Sequence, residues 1–239
     1  MGPRVRTVVS ACTLALGLTS SGPASQAGDA AQNPAGDGIH TLYLIRHGDY
    51  ESDDPRDSDA GKALNPLGQE QARLVAQRLA ALPVTFESLH ASSMRRARET
   101  AEIMSSIIGL PVQLASDIRE CTPPARREDI RAKLDPKEAA ACREQLDGAF
   151  AHYFEPSPER DSREILVCHG NVIRYLVCRA LGVDSQAWDG MTIANCSITV
   201  IEVRADGSPR LVTFDDVGHL PPDKQIYTGS RRPQPAAAR

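Results

Sequence analysis

Positive charge is in short supply in this chain: 27 lysines and arginines stand against 31 acidic residues, giving a net charge of −4 and a pI near 5.9. No basic field is available for nucleic acid, so that class of partner is excluded. None of the six cysteines shows CxxC spacing, which indicates neither a zinc site nor a disulfide framework. The apolar stretch near the N-terminus, 7–18, falls short of the roughly 20 residues that cross a bilayer. There is no internal repeat, and no acidic cluster accompanies the histidines as a metal site would require.

What the chain does have is enough material for one sizeable core. Its 239 residues, 41% hydrophobic and 24% charged, suit a single α/β domain better than two. Residues 1–27 read as a secretory signal: Arg4 and Arg6 open it, an apolar stretch follows, and Ser25, Gln26 and Ala27 offer small residues for cleavage. That reading predicts a secreted or periplasmic protein, or one anchored to a membrane through this segment if it stays uncleaved. Residues 28–38, rich in Ala, Gly, Asp and Pro, form an expected flexible leader, 39–228 the domain, and 229–239 a disordered tail. Cleavage would leave five cysteines, an odd number; Cys168 and Cys178 lie in apolar patterns and read as buried thiols, with one bridge among the five possible but not implied.

Strand and helix patterns alternate along the domain. Strands are expected at 41–45, 87–91, 112–114, 164–168, 197–203 and 211–213, the last two joined by a turn at Asp206 and Gly207. Asn65 and Pro66 open a helix whose buried face carries Ala72, Val75, Ala76 and Leu79. Ser92 and Ser93 are placed to cap the next, with Ala97, Ala101, Met104 and Ile108 inside and Gly109 as its stop. Further helices are expected from Asp135 to about Phe154 and from near Val172 to Leu181, whereas 49–62 and 121–127 read as loops. This alternation predicts an α/β three-layer sandwich, a mainly parallel central sheet with helices on both faces and its ligand crevice beyond the carboxyl ends of the strands.

Two of those strands end alike. LYLIRHG closes on Arg46, His47 and Gly48, and ILVCHGN closes on His169, Gly170 and Asn171. A neutral imidazole is a competent nucleophile toward phosphorus, and a second histidine beside an arginine can neutralise phosphoryl oxygens, so the pair points to phosphoryl transfer. With SSMRRARETAEI at 92–103 and Glu120 in DIRE, these motifs in this order resemble the histidine phosphatase superfamily, the phosphoglycerate-mutase-like fold. CHGNVIRYLVCRAL, NCSIT and PPDK most resemble its member-five branch, the mitochondrial serine/threonine protein phosphatases, over residues 40–228.

The resemblance implies catalytic residues His47 as nucleophile, Glu120 as general acid and His169 as phosphoryl ligand. It implies Arg46 and Arg96 as further phosphate ligands, Arg96 being preferred to Arg95 and Arg98 because an RA pair with a downstream Thr marks the family. Gly170 and Asn171 are expected at the substrate, with each glycine after a histidine letting the backbone approach the anion. Asn195 and Ser197 match a segment beside the site. His40, His90, His152 and His219 lack the strand-end context and read as structural or solvated. No cofactor or metal is implied. The expected partner is a phosphorylated protein, peptide or small phosphomonoester, with a binding module that lacks catalysis as the rival of another class. Relatives have a glycine after the acid, where Cys121 stands here, and mutases have a small hydroxyl residue and an Asn where Tyr50 and Asp53 stand. A carboxylate there would repel a bisphosphorylated glycerate, which favours hydrolysis over mutase transfer. The member-five branch carries a Trp-rich assembly motif upstream of the domain, absent from 28–38 here, so its ring assembly is not expected.

Overall fold

In the computed structural model, which describes residues 37–227, six strands form one sheet in the order β3-β2-β4-β1-β5-β6. They are β1 (His40–Arg46), β2 (Ser88–Ser92), β3 (Val112–Ala115), β4 (Ser162–Cys168), β5 (Ile198–Val203) and β6 (Pro209–Asp216). β1, β2, β3 and β4 pair in parallel, while β5 runs antiparallel to β1 and β6 antiparallel to β5. The expected α/β sandwich on a mainly parallel sheet therefore holds, with an antiparallel hairpin added at one edge.

Strand parity divides the core. Leu42, Leu44, Leu166 and Cys168 face α4 (Pro136–Tyr153) and α5 (Gly170–Ala180), whereas Ile45, Ile165 and Val167 face α1 (Pro66–Ala80) and α2 (Arg95–Ile108). Burying aliphatic side chains on both faces supplies most of the drive to fold, about 25 cal/mol per Å² removed from water. The same parity sets the site. β1 and β4 pair with Arg46 opposite Cys168, so His47 and His169, each one residue further on, emerge level at the carboxyl edge. The bond from His47 N to Cys168 O, 3.0 Å, continues the ladder to that edge.

Several local expectations need correction. α2 is not capped by Ser92 or Ser93: its N-cap is Met94, with no side-chain cap bond. Ser92 is engaged by His169 and Ser93 by Arg119 instead. α5 begins at Gly170, not near Val172, with His169 itself as N-cap. A single turn, α3 (Glu128–Arg131), and short 3-10 helices at Ser185–Gly190 and Pro222–Lys224 had no periodic signal. Cys121 and Cys142 form a disulfide with a Cα separation of 5.6 Å, whereas Cys168, Cys178 and Cys196 are buried and free. The readings of 1–27 as a signal, of most of 28–38 as a leader and of 229–239 as a disordered tail lie outside the described residues. Among the described residues no helix is long and apolar enough to cross a membrane.

Candidate active site

The carboxyl ends of β1, β2 and β4 bring five predicted groups together. The rings of His47 and His169 lie 5.1 Å apart, both almost wholly buried. His47 donates from Nδ1 to the carbonyl of Gly48 at 2.8 Å, which leaves a lone pair on Nε2. Nε of Arg96 donates to that Nε2 at 3.1 Å. Burial, then the charges of Arg96, His169 and Arg46, hold the His47 pKa well below the usual histidine value. His47 is therefore neutral at neutral pH.

His169 is fixed from behind. The Ser92 hydroxyl lies 2.7 Å from its Nε2 and already accepts from the amide of Met94, so its proton is free for that nitrogen. A Ser92 proton on Nε2 leaves the single ring proton of a neutral His169 on Nδ1. This atom is buried, has no hydrogen-bond partner and sits 3.9 Å from Oε2 of Glu120. Nη1 of Arg96 is likewise buried without a partner. Leaving such donors unsatisfied costs about 1–3 kcal/mol each, a cost an anion bound between them would offset.

Each remaining candidate falls into a definite place. Arg46 donates from Nη1 to Ile193 O at 2.6 Å, on the α5 side of the sheet. Arg95 is occupied by Glu99 and Ala60 O, and Arg98 reaches Ser93 O and Asp59 O, so of the three neighbouring arginines Arg96 alone contacts His47. Thr100, the downstream Thr of that motif, donates to Arg96 O at 2.7 Å and accepts from Gly48 N at 3.1 Å. It joins the two arginine-bearing segments. Glu120 is not paired with Arg119 or Arg126, which are engaged by Asp59 and Asp184. Its Oε1 accepts from Asn171 N at 3.2 Å, and desolvation raises its pKa against the charges of Arg96, Arg46 and Arg174.

Asn195 donates to His47 O at 2.8 Å and so supports the nucleophile without facing its ring nitrogens. Tyr50 packs its ring edge-on to His47 at 5.2 Å and under the Arg96 guanidinium at 5.0 Å. Gly48 has a packing reason of its own: a Cβ there would meet Gly68 O of α1 at 2.5 Å, so the glycine is required by helix packing. A Cβ on Gly170 would stand 3.2 Å from Ile193 and 3.6 Å from Nε of Arg46. The other histidines sit elsewhere; His40 and His90 approach Glu164, His152 pairs with Asp117, and His219 contacts Cys196 O. Two residues escaped the sequence reading as parts of the site, Ser92 behind His169 and Arg174 behind Asn171. Arg174 had a signal: it interrupts the buried run of α5 from Val172 to Cys178 with the one charge in it.

The model for the histidine phosphatase superfamily, branch 1, matches residues 42–145 and 123–217. The mitochondrial serine/threonine-protein phosphatase PGAM5 of Xenopus tropicalis is 37% identical over 187 residues, covering 77% of this chain and 66% of the relative. The Caenorhabditis elegans protein of that name is 39% identical over 194 residues, 78% and 66% covered. The chain thus spans just under two thirds of the length of these curated relatives. Among solved structures, a phosphoglycerate mutase from Plasmodium falciparum has a TM-score of 0.55 at 26% identity, covering 77% of this chain and 96% of its own. A putative α-ribazole-5'-P phosphatase from Escherichia coli gives 0.57 at 20%, covering 74% and 96%, and shares the fold. The relatives' names correct the expectation of a secreted or periplasmic protein, since the proteins similar over three quarters of this chain are mitochondrial.

Proposed function

The chain belongs to the histidine phosphatase superfamily, and from that membership we propose that it hydrolyses phosphomonoesters through a phosphohistidine on His47, acting on phosphoserine or phosphothreonine in proteins. The observation that carries the reading is the nucleophile's setting: a neutral imidazole with Nδ1 committed to Gly48 O, its Nε2 beside Arg96, and the unpartnered donors of Arg96 and His169 facing the same space. In the first step Nε2 of His47 attacks phosphorus. Arg96, Arg46 and Nδ1 of His169 take the charge on the non-bridging oxygens, and the ester P–O bond breaks as Glu120 gives its proton to the leaving alkoxide.

Water then completes the cycle. The Glu120 carboxylate takes a proton from it, the oxygen attacks phosphorus, the P–N bond breaks onto His47, and inorganic phosphate leaves. Two arginines supply the positive charge and the His169 ring N–H a hydrogen bond, so the proposed reaction requires no metal. Restriction to phosphoproteins rests on the relatives' names, which describe serine/threonine-protein phosphatases.

The test is to trap the intermediate. Quenching wild-type protein with labelled substrate into alkali should retain protein-bound label that acid removes, and His47→Ala should lose both the label and turnover. Wild-type turnover without an acid-labile protein phosphate, or a His47→Ala variant of normal rate, sinks the reading.

A further inference from the structure

Arg174 is a buried cation to which the reaction above gives no task, only 6% exposed in the middle of α5. Burying a guanidinium is costly, and here three hydrogen bonds and an aromatic ring offset the cost. Nε donates to Gly170 O at 3.0 Å, Nη1 to Met191 O at 2.7 Å and Nη2 to Oδ1 of Asn171 at 2.6 Å. The guanidinium lies 4.8 Å above the ring of Trp188, whose Nε1 donates to Pro124 O in the acid-bearing loop.

The contact with Asn171 has a logical force that the others lack. A guanidinium can only donate, so the face of the Asn171 amide turned to it must be the oxygen. The NH2 must then point the other way, where it donates to Cys121 O at 2.9 Å, the residue directly after Glu120. The backbone N–H of the same Asn171 donates to the Glu120 carboxylate at 3.2 Å. Without Arg174 the amide could turn over and set its oxygen against the Cys121 carbonyl, pushing away the peptide that carries the acid.

We propose that Arg174 is a positioning residue for the general acid, acting through the Asn171 amide and the Trp188 ring to hold the 120–127 loop against the start of α5. The proposal rests on the reading of Glu120 as proton donor. Arg174 also places a positive charge near Glu120 that favours the carboxylate and works against its burial. One side chain thus bears on both the position and the acidity of the donor.

Arg174→Gln separates this role from simple structural support. On a phosphoserine peptide, whose leaving alkoxide needs a proton, kcat/KM should fall about 10-fold or more; on p-nitrophenyl phosphate it should stay within about 2-fold. With a cation removed from beside Glu120, the basic limb of the peptide profile should move to higher pH. In a Glu120→Gln background, Arg174→Gln should cost nothing further on the peptide. Asn171→Ala tests the same link from its other end, should Arg174→Gln fail to fold, and should show the same leaving-group bias. Equal losses on both substrates, or losses that add to Glu120→Gln, overturn the proposal. Wild-type protein that turns over without forming an acid-labile phosphoprotein overturns the functional reading and this proposal with it, whereas a labelled wild type with an indiscriminate Arg174→Gln overturns this proposal alone.

Discussion

At the scale of single residues the proposed mechanism rests on a base whose pKa burial lowers and an acid whose pKa desolvation raises. His47 attacks only without a proton on Nε2, and its lowered pKa means that activity is lost only as pH falls below the ordinary histidine range. Glu120 donates only while protonated, and its raised pKa means that donation is lost as pH rises through a value above the ordinary glutamate one. In kcat/KM, which reports phosphoryl transfer to His47, phosphoserine hydrolysis should therefore show two limbs, an acid one below the ordinary histidine value and a basic one above the ordinary glutamate value, and an activated aryl phosphate should lack the basic limb. Glu120→Gln should lower kcat/KM for phosphoserine by about 10²–10⁴-fold with a far smaller effect on kcat/KM for the aryl ester. A basic limb common to both substrates would assign the titration to another group. Most of these residues were legible because two strands closing on His-Gly and an RA pair with its Thr are local patterns. Ser92 was not, because its engagement with His169 spans 77 positions and requires β2 and β4 to lie side by side.

Among the elements, the acid-bearing loop is the piece whose order must be imposed from outside. It has no periodic structure before α3, and it is held by Gln145 of α4 on Asp117 O and Arg119 O, by Asp189 on the amides of Arg126 and Arg127, and by the Cys121–Cys142 bridge. Closing a 21-residue separation restricts the unfolded chain by about 3 kcal/mol. A Cys121→Ser/Cys142→Ser double variant should unfold at correspondingly lower urea. Wild type treated with dithiothreitol should follow it, and an unchanged midpoint in both would deny the bridge a stabilising role. The sequence could not pair these cysteines, because the 5.6 Å between their Cα atoms follows from how α4 packs and from no spacing rule. Helix starts misled for a related reason. The serines before α2 have cap chemistry, but His169 and Arg119 claim their hydroxyls.

Over the whole molecule, alternation of strands and helices was sufficient to predict the layers and the crevice, and insufficient to predict that β4 inserts between β1 and β2. That insertion is what sets the two histidines level, and it depends on pairings far apart in sequence. The segment after β1 leaves Glu51, Asp53, Asp57 and Asp59 exposed, on a chain already at −4. A site approached past those carboxylates should take one phosphate on a peptide in preference to bisphosphoglycerate. Asp53→Asn should raise relative activity on the polyanion by an effect of about 1 kcal/mol or less that fades in high salt. Wild-type turnover of bisphosphoglycerate exceeding that of phosphopeptides would reverse this view of the substrate.

The contact between Arg96 and the nucleophile has one more consequence. Nε of Arg96 donates to the lone pair of His47. A neutral electrophile offers the guanidinium nothing in exchange and meets a masked base. Only an anion able to draw Arg96 onto itself uncovers the nitrogen. In the proposed reaction the guanidinium that stabilises the phosphoryl group thereby makes the availability of His47 conditional on the charge of its target.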